Sequence, residues 1–140
     1  MTHVIAITGA SGLIGSALAR ALRDRGDRVV AFVRREPHGA HERRWDPERE
    51  ELDPASLADL DALVNLAGAG VGDRRWSTAY KREILRSRVS GTRAIVGAIR
   101  KSARQVRLVN GSAVGFYGDR GDDLLTEDSL PGTGFLSEVV

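Results

Sequence analysis

Three regularly spaced glycines mark the part of the sequence best suited to bind a ligand. Gly9, Gly12 and Gly15 lie in the segment ITGASGLIGSAL, directly after a run of apolar residues. Between a strand and a helix, the first glycine allows a tight turn, the second lets a phosphate approach the backbone, and the third lets helix and strand pack closely. The amides at the helix start then face the anion. We expect a dinucleotide to contact this turn through Gly9, Ser11, Gly12, Leu13 and Ile14.

Two arginines after the second predicted strand bear on the choice of dinucleotide. An acidic residue at this point binds the ribose 2′-hydroxyl of NAD, whereas arginine suits the 2′-phosphate of NADP. The sequence has Arg34 and Arg35, followed by Glu36. Guanidinium groups match phosphate oxygens in a bidentate way. Arg34 and Arg35 therefore favour NADP (NADPH) as the cofactor.

Alternating strands and helices must position these residues. Apolar runs predict strands at residues 3–8, 28–33, 60–67 and 106–110, and residues 43–46 are the candidate for a brief third strand. Helical spacing predicts helices at 13–25 and 77–101. The long helix has a predicted apolar stripe of Ile84, Leu85, Val89, Thr92, Ile95, Val96 and Ile99, and the first has Ile14, Ala17, Leu18, Ala21 and Leu22. This alternation indicates an α/β fold with a doubly wound parallel sheet. The glycine turn then favours dinucleotide binding, although its Gly-x-x-Gly-x-x-Gly spacing leaves a purely structural turn as the alternative.

Composition excludes several classes of protein. The chain has 140 residues, no cysteine, and a net charge of +2 from 21 basic and 19 acidic residues. Disulfides and thiolate metal sites are therefore absent, and the three histidines have no recognisable metal-ligand spacing. No apolar run could span a bilayer and no secretory signal is visible, so we expect a cytoplasmic protein without a membrane partner. The basic segment RREPHGAHERR is either a solvated loop or a site for a small anion, and it lacks the aromatics of a nucleic-acid site.

Several motifs together resemble a known family. TGASGLIG, VNLAGAG and GSAVGFYG, in this order, resemble an extended short-chain dehydrogenase/reductase. The segments RRWDPE, RRW…YKREILRSRVSGT and FYGDRGDDLLTEDS are similar to an atypical subgroup, the epimerase-family proteins of the NAD-dependent epimerase/dehydratase superfamily. The resemblance implies an NADP-binding Rossmann domain, a nucleotide sugar or similar polyol as substrate, and is compatible with a homodimer.

The resemblance also implies further cofactor contacts. Leu66, Ala67 and Gly68, after the fourth strand, would line the dinucleotide, and Glu83 and Arg88 would contact it from the long helix. Arg88 falls on the predicted apolar stripe, where a charge needs a partner. The alternative for Arg88 is a snorkelling side chain at the edge of the stripe, and the alternative for Glu83 is a solvated glutamate on the helix surface. Asp46 would approach the adenine, whereas the two tryptophans, Trp45 and Trp76, are better suited to packing.

The expected catalytic residues are only partly present. In this superfamily a tyrosine transfers a proton, a lysine four residues later lowers its pKa, and a hydroxyl after the fifth strand orients the substrate. Ile84 and Gly121 stand four residues after Tyr80 and Tyr117, so the Tyr-x-x-x-Lys pair is absent. Ser112 is the candidate for the orienting hydroxyl, although Ala113 competes for that position in the alignment. Tyr117 is a substitute proton donor or a buried aromatic residue beneath the cofactor.

Two functions follow from these observations. One is an NADP-dependent epimerase or oxidoreductase that acts by hydride transfer, and the other is a non-catalytic regulatory protein that binds NADP. We expect residues 1–140 to form one NAD(P)-binding domain, the N-terminal part of a longer functional unit. A C-terminal substrate-binding portion would complete it.

Overall fold

The computed structural model describes residues 2–140 and contains one five-stranded sheet. The strands are β1 (Val4–Thr8), β2 (Arg28–Val33), β3 (Glu42–Arg44), β4 (Ala62–Asn65) and β5 (Arg107–Asn110), and the helices are α1 (Leu13–Asp24), α2 (Thr78–Lys101) and α3 (Phe135–Val139). All strand pairs are parallel, in the order β3-β2-β1-β4-β5. The predicted Rossmann-type α/β fold is confirmed, and the order of its strands reverses between β1 and β4, where such folds bind ligands.

Local signals set the ends of the helices. Gly26 follows α1 with a φ of +92°, a left-handed conformation that ends a helix without strain in glycine. Ser77 precedes α2, and its hydroxyl accepts a hydrogen bond of 3.2 Å from the Tyr80 N–H. Strand β4 is shorter than the predicted 60–67, because Leu60 still belongs to the preceding turn and donates its N–H to the Leu57 carbonyl.

The core lies in two layers, one on each face of the sheet. On one face, α1 covers β1 and β2 through Ile5, Ile7, Ala19, Leu22 and Val29. On the other face, α2 covers a larger cluster: Ala6, Val30, Phe32, Trp45, Leu52, Leu57, Leu60, Leu63, Ala94, Ile95, Ala98 and Val106. Trp45 is only 4% exposed, so its predicted packing role is confirmed. The two layers fix the carboxyl ends of β1 and β4 from both sides.

The buried stripes of the helices differ from the predicted ones. The buried residues of α2 are Tyr80, Ile84, Gly91, Ala94, Ile95 and Ala98, whereas Leu85 and Val89 are exposed. Small residues replace the predicted large ones because a bulky side chain fills the space: the Trp45 ring lies 3.5 Å from where a Cβ of Gly91 would be. In α1 the buried residues are Gly15, Ala19 and Leu22, and Ile14 faces outward.

Two carboxylates hold the first strand at the amino edge of the sheet. Asp27, just before β2, accepts a hydrogen bond of 3.0 Å from the His3 N–H. Asp61, just before β4, accepts one of 2.8 Å from the Val4 N–H. These backbone donors lower the pKa of both carboxyls, helped by Arg25 and Arg104 respectively.

Among residues 2–140, none of the helices combines the length and apolar character needed to cross a membrane.

Candidate functional site

The glycine turn between β1 and α1 is tightly constrained by its neighbours. Gly9 has a φ of +68°, and a Cβ there would lie 2.9 Å from the Leu66 carbonyl oxygen. A Cβ on Gly15 would collide with the Gly9 carbonyl oxygen, so this glycine allows α1 to pack against the turn. Only glycine satisfies both positions. The turn is thereby held against the chain that leaves β4.

The middle glycine differs from the other two because it faces open space. Gly12 is exposed, and a Cβ there would contact only the Gly9 carbonyl oxygen, at 3.3 Å. Its φ of −75° is accessible to any residue, so its backbone conformation does not require glycine. A small residue here leaves room beside the backbone, which is the geometry that a bound phosphate needs.

The start of α1 is open to an anion. Gly12 is the N-cap and offers no side chain to the first amides, and the first turn has no acidic residue. Helix amides left without partners, together with the helix dipole, attract negative charge. Leu13 and Ile14 project outward with 90% and 68% exposure, and Ser11 is exposed beside them. Apolar side chains next to free helix amides are typical of a binding site for a ligand that has both polar and apolar groups.

A buried polar network ties the carboxyl ends of three strands together beneath this turn. The Thr8 hydroxyl of β1 donates to Asn65 Oδ1 of β4 at 2.6 Å and accepts from the Ala67 N–H at 3.2 Å. Asn65 Nδ2 donates to Asn110 Oδ1 of β5 at 2.7 Å. Thr8 and Asn65 are 0% and 6% exposed. The network, which was not predicted from the sequence, holds the backbone of Leu66 and Ala67 in place against Gly9.

Arg88 lies against the segment that follows β4. Its Nη1 donates to the Ala69 carbonyl at 3.0 Å and to the Ile84 carbonyl at 3.2 Å. A Cβ on Gly68 would lie 3.1 Å from the Arg88 guanidinium carbon, so the glycine leaves space for that group. No carboxylate pairs with Arg88 in residues 2–140. The structure thus brings Leu66, Ala67, Gly68 and Arg88 together, and the guanidinium keeps donors free for an anion.

The two arginines after β2 have different surroundings. Arg35 donates to both carboxylate oxygens of Glu42 at 2.6 Å. Arg34 is exposed and makes no hydrogen bond or ion pair in the described chain. Arg35 and the His38 N–H together lower the pKa of Glu42 from 4.5 to about 2, and Glu42 in turn raises the pKa of Arg35. Glu36 forms a separate ion pair with Arg44.

Glu83 and Asp46 have local partners in the structure. Glu83 is half-exposed, and its Oε2 lies 3.8 Å from Nη1 of Arg74. Asp46 caps its own turn, because its Oδ1 accepts hydrogen bonds from the N–H groups of Glu48 at 3.1 Å and Arg49 at 3.2 Å. Glu83 is therefore paired with one exposed cation, and the Asp46 carboxylate is engaged within its own turn.

The segment after β5 offers one free hydroxyl. Ser112 is exposed and makes no hydrogen bond in the described chain. Tyr117 stacks edge-on against Phe116 with 5.2 Å between ring centroids. Tyr80 is buried and donates its hydroxyl to the Gly70 carbonyl at 2.5 Å, which occupies its proton in a structural bond. Neither tyrosine has a lysine four residues later.

Comparison with known proteins identifies the relatives of this chain. The NAD dependent epimerase/dehydratase family matches residues 5–134. The epimerase family protein Mb2239 of Mycobacterium bovis is 45% identical over 136 residues, which cover 97% of this chain and 45% of the relative. The chain thus spans about half the length of the curated relatives it matches.

Two solved structures illustrate the ligands found among similar folds. Human epimerase family protein SDR39U1, solved with NADPH, has a TM-score of 0.81 and 28% identity, covering 97% of this chain and 45% of that one. MoeE5, solved with UDP-glucose and NAD, has a TM-score of 0.75 and 33% identity, covering 95% of this chain and 44% of that one. With a family match over nearly its whole length and the fold described above, the chain belongs to the NAD-dependent epimerase/dehydratase family.

Proposed function

We propose that this chain is the dinucleotide-binding part of an NADP-dependent epimerase or oxidoreductase that acts on a nucleotide sugar. The observation that carries the proposal is the open glycine turn at the start of α1. Gly12 leaves room beside the backbone, and α1 presents uncapped amides without an acidic side chain in its first turn. Both features suit the pyrophosphate of a dinucleotide. Leu13, Ile14 and Ser11 would border the bound group.

Arg34 supports NADP rather than NAD. It follows β2, where the adenosine ribose lies in this fold, and it has no acidic partner in the described chain. A free guanidinium can form charge-assisted hydrogen bonds with a 2′-phosphate. The NADPH in human SDR39U1 agrees with this assignment, whereas the NAD in MoeE5 indicates that both dinucleotides occur among similar folds.

The chain leaving β4 would hold the other part of the cofactor. Leu66 and Ala67 lie against the glycine turn, and Gly68 leaves space for Arg88, which keeps guanidinium donors free beside them. We assign Arg88 to a phosphate or ribose oxygen of the dinucleotide. We assign Glu83 to a ribose hydroxyl, because its carboxylate is half-exposed and its pairing with Arg74 is long, at 3.8 Å.

The chemistry proposed for the complete enzyme is hydride transfer. When bound, NADP supplies a nicotinamide that accepts or donates a hydride. Ser112 is free to orient the substrate oxygen by a hydrogen bond, because its hydroxyl has no partner within the described chain. Neither tyrosine of residues 1–140 belongs to a Tyr–Lys pair, since Tyr80 already donates to the Gly70 carbonyl and Gly121 follows Tyr117 by four residues.

A second candidate is a regulatory protein that binds NADP without turnover, and it is kept because residues 1–140 contain no Tyr-x-x-x-Lys pair. One experiment separates the candidates. The 140-residue chain is titrated with NADPH and NADH by fluorescence, and then incubated with NADP and UDP-glucose. Absorbance of the reduced nicotinamide reports net oxidation, and chromatography of the sugar nucleotides reports epimerisation, which leaves no net reduced cofactor. Tight NADPH binding with either change supports an enzyme. Binding without either change, also in a full-length relative whose matching part is replaced by this chain, supports the regulatory role. No binding of either dinucleotide would overturn both.

A further inference from the structure

We propose that Glu42 is a specificity-determining residue, because it engages Arg35 in a fixed ion pair and leaves Arg34 as the arginine that distinguishes NADPH from NADH. The inference rests on the proposed function and goes beyond it, since the sequence treats Arg34 and Arg35 as equivalent readers of the 2′-phosphate. The structure separates them by their partners.

The pair between Arg35 and Glu42 is well constrained. Both contacts are 2.6 Å long and run in parallel from the two terminal nitrogens of the guanidinium to the two carboxylate oxygens. Bidentate pairs of this kind are stronger and more directional than single contacts. Arg35 Nη1 also donates to the Glu36 carbonyl at 2.9 Å, so the same nitrogen is engaged twice. An incoming phosphate would have to displace a matched carboxylate before it could bind Arg35.

Glu42 is held in place independently of Arg35. It is the first residue of β3 and pairs in register with Ala31 of β2. Its Oε2 also accepts a hydrogen bond of 2.7 Å from the His38 N–H. Its side chain is only 22% exposed, compared with 51% for that of Arg35. Glu42 is therefore a fixed acceptor that positions both Arg35 and the loop between β2 and β3.

Arg34 has none of these restraints. It is exposed, and its nearest acidic neighbour in the sequence, Glu36, is paired with Arg44. The two glutamates between residues 34 and 44, Glu36 and Glu42, are thus paired with arginines other than Arg34. The positive charge of Arg34 has no acidic partner in the described chain. A 2′-phosphate would gain its full attraction from Arg34 without breaking an existing ion pair.

The test compares the ratio of NADH to NADPH dissociation constants across variants of the 140-residue chain. We expect Arg34→Ala to lower this ratio by about tenfold or more, the scale of a lost charge-assisted bond. We expect Arg35→Ala made together with Glu42→Gln, which removes the whole ion pair and leaves no unpaired carboxylate, to change the ratio by less than about threefold. Arg100→Ala, in the last turn of α2, removes an exposed charge away from the site and serves as the matched control.

A double variant tests Glu42 directly. Adding Glu42→Gln to Arg34→Ala releases Arg35, so we expect the double variant to recover part of the NADPH preference that Arg34→Ala loses. The His38 N–H donates a hydrogen bond to Glu42, so hydrogen exchange at this amide reports separately whether the loop between β2 and β3 keeps its conformation. Equal losses from Arg34→Ala and from the variant that lacks both Arg35 and Glu42, or no recovery when Glu42→Gln is added to Arg34→Ala, would overturn the inference while the proposed function stands. A wild-type chain that binds neither dinucleotide would overturn the proposed function and the inference with it.

Discussion

The Thr8 hydroxyl and the Asn65 side chain form a 2.6 Å hydrogen bond in the buried sheet, directly beneath the glycine turn. Both residues are buried, and they lie 57 positions apart in the sequence. Asn65 continues the network to Asn110, so one chain of polar side chains crosses β1, β4 and β5 at their carboxyl ends. The candidate site therefore lies next to this polar network. Within residues 2–140, every buried side-chain nitrogen or oxygen atom has a hydrogen-bond partner.

Replacing Thr8 with valine should destabilise the protein. Valine keeps the shape but removes the hydroxyl, which leaves the buried Asn65 oxygen and the Ala67 N–H without their partner. We expect the free energy of unfolding to fall by about 1–3 kcal/mol, the cost of a buried unsatisfied polar group. Urea unfolding measures it. Thr8→Ser keeps the hydroxyl and is the control; if it costs as much as valine, packing rather than the network is responsible.

Gly12→Val should abolish dinucleotide binding and leave the fold intact. The backbone at Gly12 suits any residue, but a branched side chain would fill the space beside the first amides of α1. Calorimetric titration with NADPH and thermal unfolding measure the two effects. Unchanged NADPH affinity in the Gly12→Val variant would show that the turn has a purely structural role.

Arg88→Met and Gly68→Ala should weaken NADPH and NADH to the same extent. Methionine keeps much of the stem of Arg88 but removes its donors, and a Cβ on Gly68 would press on the guanidinium at 3.1 Å. We expect each change to lower both affinities by about tenfold. Fluorescence titration with the two dinucleotides provides the measurement. A loss confined to NADPH would place Arg88 at the 2′-phosphate instead.

Gly97→Ala should stabilise the protein. Gly97 lies inside α2, and a Cβ there would meet no atom within 4 Å. Alanine restricts the unfolded chain and favours the helix, so we expect the free energy of unfolding to rise by about 0.5–1 kcal/mol. Chemical unfolding gives the value. Because no residue of the candidate site lies within 4 Å of that Cβ, NADPH affinity should not change, and a drop in stability would contradict the helix geometry.

Acid should destabilise the fold in a defined range. Arg35 and the His38 N–H lower the pKa of Glu42 from 4.5 to about 2, and Arg43, with Arg28, lowers that of Asp59 from 3.8 to about 2. Because both pKa values are lower in the folded state, the unfolded chain takes up protons first as the pH falls. The stability due to these pairs is fully present above about pH 4.5 and is lost as the pH falls towards about 2.

Urea midpoints measured across this pH range check the acid prediction. A Glu42→Gln and Asp59→Asn double variant should show a shallower decline, because two of the responsible carboxyls no longer titrate. An unchanged slope in that variant would assign the acid sensitivity to other carboxyls, such as Asp27 and Asp61, whose pKa values are also lowered.

Local sequence signals predicted most of the fold. The period of apolar residues located four of the five strands and both long helices to within two residues, and the brief strand expected at 43–46 corresponds to β3 at Glu42–Arg44. The predicted stripe of α2 was right at Ile84 and Ile95 and wrong at Leu85 and Val89, which are exposed, because hydropathy alone favours large residues. The helix instead buries Gly91, against which Trp45 packs from another part of the chain. Packing partners of this kind depend on tertiary structure and leave no local pattern.

The site was predictable to a similar degree. The glycine turn could be read from the sequence because its backbone geometry demands particular residues at a fixed spacing. The different surroundings of Arg34 and Arg35 could not be predicted from the sequence, because the register in which β3 pairs with β2 determines that Glu42 is the partner of Arg35. The Thr8–Asn65–Asn110 network was not predicted, although polar residues at the ends of three neighbouring strands are a usable signal for it.

The two aspartates at the amino edge have a consequence for the alignment of the sheet. Parallel strands have no hairpin turn to set their register, and a slip of one residue would turn every side chain to the opposite face. Asp27 and Asp61 bond to consecutive amides, those of His3 and Val4, across 24 and 57 residues of sequence. They do for the central strand what a tight turn does for an antiparallel pair: a slipped β1 would leave both carboxylates without their amides, so only one alignment satisfies both neighbours.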